Sequence, residues 1–91
     1  MTIEQIKDIA CKRFKITKHQ LEHGGRKIEC VYAKLAIAKY LLDNGTRQVD
    51  IANILGMHHS TISCYFKTFD DRLKYDSVFR CGYEEFIKEC N

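Results

Sequence analysis

The chain has no proline, no tryptophan and only five glycines among its 91 residues. Helix interiors therefore meet no residue that removes a backbone donor, and collagen-like or Pro-rich disordered composition is excluded. Long apolar runs are missing too. In the most apolar region the charge-free stretch reaches only from Leu35 to Ala38, against the roughly 20 residues a membrane span needs. No signal peptide is legible, because Glu4, Lys7 and Asp8 stand where a basic region and an apolar run would be. The reading is of a cytoplasmic protein without a membrane partner. The five cysteines are odd in number and form no Cys-x-x-Cys pair, so reduced thiols are expected.

What is present suits one compact domain spanning residues 1–91: 45% hydrophobic and 30% charged side chains. A chain of this length buries only roughly 60–65% of its unfolded surface. Little apolar material is left to line a deep pocket, and surface recognition is favoured over chemistry. Because glycine tolerates a left-handed backbone, helix ends are predicted near Gly24-Gly25, Gly45, Gly56 and Gly82. Thr2 and Gln5 have capping-box spacing before Ile3, Ile6, Ile9, Ala10 and Phe14, which recur on one helical face. A second Thr-x-x-Gln, Thr17 to Gln20, predicts a short turn of helix. Ile28, Val31, Leu35, Ala38, Leu41 and Leu42 predict a long central helix stopped at Asn44-Gly45. No segment alternates like a strand, and the expected fold is all-α, a small helical bundle.

Charge is uneven. Residues 11–47 carry nine basic and three acidic side chains, and residues 70–91 carry four basic and six acidic ones. Behind the overall +3 lie a basic half and a mildly acidic tail, a distribution that orients a molecule in the field of a polyanion.

From Gln48 to Lys67 the chain reads QVDIANILGMHHSTISCYFK, the pattern of a helix-turn-helix over about residues 47–69. Two short helices crossing closely need a small residue at the crossing, a turn residue able to take positive φ, and an apolar anchor on the second helix. Ala52, Gly56 and Ile62 occupy those positions in order. Val49, Ile51, Leu55 and Tyr65 or Phe66 complete the apolar side. Thr46 is placed to cap the first helix, and Ser60 or His59 to start the second. In such a motif the second helix enters the major groove and offers its N-terminal side chains to base edges. Those are His58, His59, Ser60 and Ser63, with Lys67 further along the helix. Arg26, Lys27, Lys34, Arg47 and Lys67 would hold the phosphate backbone.

These residues resemble a known family, the C-terminal DNA-box-binding domain of the bacterial replication initiator DnaA, over most of the chain. The resemblance runs through Ile6, Ile9, Ala10, Phe14, Ile16, Thr17 and Leu21, the basic pair Arg26-Lys27, and Val31-x-Ala33-Lys34 before a long helix. His59-Ser60-Thr61-Ile62 is similar to the family signature Asp-His-Ser/Thr-Thr-Val, and Leu73, Asp76, Phe79 and Phe86-Ile87 fit its closing helix. The resemblance implies that His59, Ser60 and Thr61 take the signature roles in the major groove, partly on bases and partly on phosphates, and that a basic-loop arginine position enters the minor groove. Anchored on Val31 and Ala33, that arginine position falls on Lys34; anchored on Ile51, it falls on Ala33. Where the family has Arg or Lys followed by Asp, this chain has Met57-His58, so an acceptor for base amino groups gives way to a side chain that donates or accepts. The implied function is sequence-specific binding of double-stranded DNA in replication initiation or its regulation, by a monomer close to the nucleoid. No Gly-x-x-x-x-Gly-Lys-Ser/Thr stretch occurs, so no ATPase activity is expected.

Other constellations are weaker. His58, His59 and Cys64 have zinc-ligand chemistry but not zinc spacing, and no metal or other cofactor is expected. Cys64 reads as a buried or half-buried thiol, and Cys81 and Cys90 as packing or tail residues. Ser60 beside His59 fits capping better than nucleophilic activation, and an enzyme is not expected. Phe66, Phe69, Tyr75, Phe79, Tyr83 and Phe86 read first as a tail folded on the core. If exposed, they would instead suit a small helical adaptor that binds a replication or transcription factor.

Overall fold

The computed structural model describes residues 2–23 and 27–90, all but the ends of the chain and the segment 24–26. Among them are six helices and no strand: α1 (Ile3–Phe14), α2 (Lys18–His23), α3 (Ile28–Asp43), α4 (Gln48–Leu55), α5 (His59–Tyr75) and α6 (Ser77–Cys90). No helix is long and apolar enough to cross a membrane among the described residues.

Local chemistry starts and stops these helices where the spacing suggests. Thr2 Oγ1 accepts from the Gln5 amide at 3.2 Å while Gln5 Oε1 accepts from the Thr2 amide at 2.8 Å, a reciprocal box that satisfies two otherwise orphaned donors. Thr17 and Gln20 repeat it at 3.0 Å in both directions ahead of α2. Lys15 ends α1 in the left-handed region, with φ of 58°. Gly45 and Gly56 take φ of 92° and 64° after α3 and α4, where a side chain would clash with its own backbone. The glycine pair Gly24-Gly25 lies outside the described residues.

α3 is the central element, packed against each of the other five helices. Ala33, Ala36, Ile37 and Ala38 are fully buried on it, and the three small alanines let neighbours approach closely. Ile6, Ala10 and Phe14 of α1 join the same core, as do Ile51, Ala52 and Leu55 of α4 and Ile62 and Phe69 of α5. α6 adds Phe79 and Phe86. Phe79 is stacked on Phe14 and Tyr83 and edge-on to Phe69, the last at 5.6 Å and 87°. Such offset and perpendicular pairs suit the ring quadrupole.

Several expectations are corrected. Gly82 does not end a helix but sits inside α6, where it lets α6 lie on the Phe14 ring: a Cβ there would meet Phe14 Cε1 at 2.6 Å. Ile28 and Val49 are 46% and 50% exposed instead of joining the core, because no neighbouring helix covers those faces. Thr46 does not cap α4; Arg47 holds the N-cap position and makes no side-chain cap bond. The α5 helix continues past Phe69 to Tyr75. Asp76 then breaks the chain direction and caps α6, its Oδ1 accepting from the Phe79 amide at 3.1 Å. Its other oxygen accepts from the Tyr32 hydroxyl. Together these bonds hold its carboxyl below its ordinary range, the Tyr32 bond contributing most.

Candidate nucleic-acid interface

The start of α5 collects most of the polar residues singled out by the motif. Gly56 closes α4 with its amide directed at Ala52 and Asn53 carbonyls, and Met57 donates to the Ala52 carbonyl at 2.8 Å. Two residues later α5 begins. Neither Ser60 nor His59 is its cap: His58 is, with Nδ1 accepting from the Ser60 amide at 3.2 Å and lying 2.8 Å from Ser60 Oγ. A backbone N–H can only donate, so the capping Nδ1 carries no proton and the ring's hydrogen sits on Nε2. The structure thus narrows the either-or chemistry of this side chain to an Nε2–H donor.

His58, His59 and Ser60 are exposed, Thr61 is half-buried, and Ile62 is wholly buried beneath them. Ser60, Cys64, Lys67 and Asp71 follow at helical spacing, and all four are exposed, so they form the outermost stripe of α5. Cys64 is therefore an exposed thiol, not the buried or half-buried one expected. Its place in the stripe was legible from the four-residue step after Ser60. Asp71 ends the stripe with negative charge, beside the exposed Asp70.

Ser63 stands on the flank of that stripe nearest α4. Its hydroxyl donates to Gln48 Oε1 at 3.3 Å, joining the first residue of α4 to the second turn of α5. Nothing in the spacing of the motif marks Gln48 as a polar partner of α5 beyond its position one turn before Ala52, the small residue at the crossing. Beside it, the Arg47 side chain is 81% exposed and its Nε lies 3.3 Å from Asp50 Oδ2.

The remaining basic residues do not all gather here. Lys67 is exposed on α5 itself. Lys34 is not in a loop but in the second turn of α3, half-buried. Lys27 precedes α3 and lines a groove with Lys15, Ile16 and Gln20 at the α1–α2 corner. Arg26 lies outside the described residues. Of the basic surplus between residues 11 and 47, Lys18 is paired with Glu4 and Asp8 at 2.5 and 3.1 Å and Lys39 with Asp43 at 3.2 Å. Arg13 is paired with Glu85 and Glu89 across α1 and α6. Lys12, Lys15, Lys27, Lys34 and Lys67 have no ion pair among the described residues.

The aromatic tail is mostly interior. Phe69, Phe79 and Phe86 are buried, Phe66 and Tyr83 half-buried, and only Tyr75 stands out, at 77% exposure. Burial pushes the Tyr83 hydroxyl up to about 12 and raises the Cys11 and Cys90 thiols. Among the described residues no three His, Cys, Asp or Glu side chains gather as metal ligands. Comparison with family models, curated proteins and solved structures found no match.

Proposed function

We propose that the protein binds double-stranded DNA with sequence preference, using α4 and α5 as a helix-turn-helix with α5 as the recognition helix. The observation that carries the reading is the start of α5: an exposed His58-His59-Ser60 run above a fully buried Ile62, set off from α4 by a left-handed Gly56. Inside α5, His59 and Ser60 are poor choices for helix propensity, and His58 caps it from outside. They are good choices for donating to and accepting from base edges. Lys67 on the same stripe and Arg47 at the start of α4 supply phosphate contacts from two directions, and α5 has no acidic residue in its first turn to oppose an anion. The resemblance to the DnaA box-binding domain makes a site read in replication initiation or its regulation the natural target, bound in the cytoplasm by a bacterial or phage protein associated with the nucleoid. The rival reading, an adaptor with an exposed aromatic face, loses its main support with the aromatic tail packed inside.

Titration of isotope-labelled protein with a mixed-sequence duplex at low salt tests the interface. Amide shifts are expected to concentrate at residues 47–48 and 58–67. Shifts centred on the α1–α2 corner, or none at all, would refute α5 as the DNA-facing element.

A further inference from the structure

We infer that Gln48 is a specificity-determining residue of this interface, acting through Ser63 to select an amino-bearing base. The inference rests on the DNA-binding reading above and deepens it. A serine hydroxyl is ordinarily permissive, since it rotates to donate to one base or accept from another. Ser63 is not free to do so. Its proton is directed to Gln48 Oε1 at 3.3 Å, which leaves only the oxygen lone pairs for a second partner.

In the major groove an acceptor matches the amino groups of adenine N6 and cytosine N4, and it is mismatched against guanine O6 and N7 or thymine O4. The pair is therefore expected to prefer adenine or cytosine on the strand that Ser63 faces. Gln48, with its oxygen engaged, keeps two amide hydrogens to donate, for which a phosphate oxygen is a matching acceptor. Both side chains are half-buried, so the bond between them competes with less water than a fully exposed one would. His58 contributes the opposite chemistry a few residues away, as a fixed Nε2–H donor. The two positions together would read a donor and an acceptor on neighbouring bases.

The experiment selects duplexes from a randomised library with the wild-type protein and then measures single-base-pair variants of the winner with Gln48→Ala, Gln48→Glu and Ser63→Ala. Gln48→Ala is expected to erase a preference of about threefold to tenfold at one base position and to leave the others intact. Ser63→Ala should flatten the same position, with no further loss in the double variant. Glutamate still accepts the Ser63 proton but carries no amide hydrogens and adds negative charge. Gln48→Glu should therefore keep the preference at that position while weakening binding to every duplex. A purely structural role for Gln48 would not separate the two effects. Enrichment of a sequence whose preferences are unchanged in Gln48→Ala would overturn this inference alone. Failure to enrich any sequence would overturn it together with the DNA-binding reading.

Discussion

At the scale of single residues, two side chains show how a local bond decides a chemical role. His58 is equally able to donate or accept in isolation, and its cap on the Ser60 amide removes the choice. Asp76 caps α6 and takes the Tyr32 hydroxyl, so its carboxyl is held below its ordinary value of 3.8. A carboxylate depressed in the folded state stabilises the fold above its unfolded pKa, and that contribution is lost as pH falls through the folded value. Asp76→Asn keeps an acceptor for Tyr32 and a good N-cap but has no proton to take up. Urea midpoints of wild type and Asp76→Asn should therefore differ most near neutral pH and converge as the pH drops below about 3.8. A gap that stays constant across that range would show that the carboxylate charge contributes nothing. Residue roles of this kind were only partly legible in the sequence. The Thr-x-x-Gln boxes were readable because both partners lie within one turn, whereas the Gln48 to Ser63 and Tyr32 to Asp76 bonds join positions far apart in the chain.

At the scale of elements, periodicity and glycine located the helices, and tertiary contact decided what periodicity could not. Ile28 and Val49 satisfy a helical apolar pattern, yet that pattern does not say which neighbour will cover the face, and none does. Gly82 is the clearest case. Read as a stop signal, it is instead a close-approach residue that lets α6 settle on Phe14. Gly82→Ala would gain about 1 kcal/mol of helix propensity but force a methyl to within 2.6 Å of a ring carbon, an overpacking that costs about 1–3 kcal/mol. The crowding should win by about 1 kcal/mol and lower Tm by about 4–8 °C for a domain of this size. A Tm at or above wild type would mean that the Phe14 ring moves aside without cost. Between Ala52 and Ile62 three single-residue readings hold, a buried Ala52, a left-handed Gly56 and a fully buried Ile62. Even there the caps were misassigned: Arg47 and His58 hold the positions that Thr46 and Ser60 or His59 were expected to fill.

At the scale of the whole molecule, formal charge overstates the field. Ion pairs at Arg13, Lys18 and Lys39 neutralise part of the basic half, so a polyanion meets scattered lysines rather than a continuous patch. Pairs of this kind contribute little to stability, and on the α5 stripe they leave Lys67 as the unpaired cation among the described residues, with Arg47 beside Asp50 at the start of α4. An interface with few phosphate contacts should show a moderate salt dependence, and its preference should come mainly from the first turns of α5. An aromatic adaptor surface would respond weakly to salt, because little charge is neutralised on binding.

The most direct measurement is fluorescence anisotropy of the protein with a duplex carrying the initiator-family box and with a scrambled duplex of equal length, each over a salt series. Tighter binding to the box is predicted, with log K falling with log salt at roughly 0.9 per phosphate contacted and Lys67→Ala reducing that slope by about one. Absence of binding to either duplex at low salt would contradict the account at its centre.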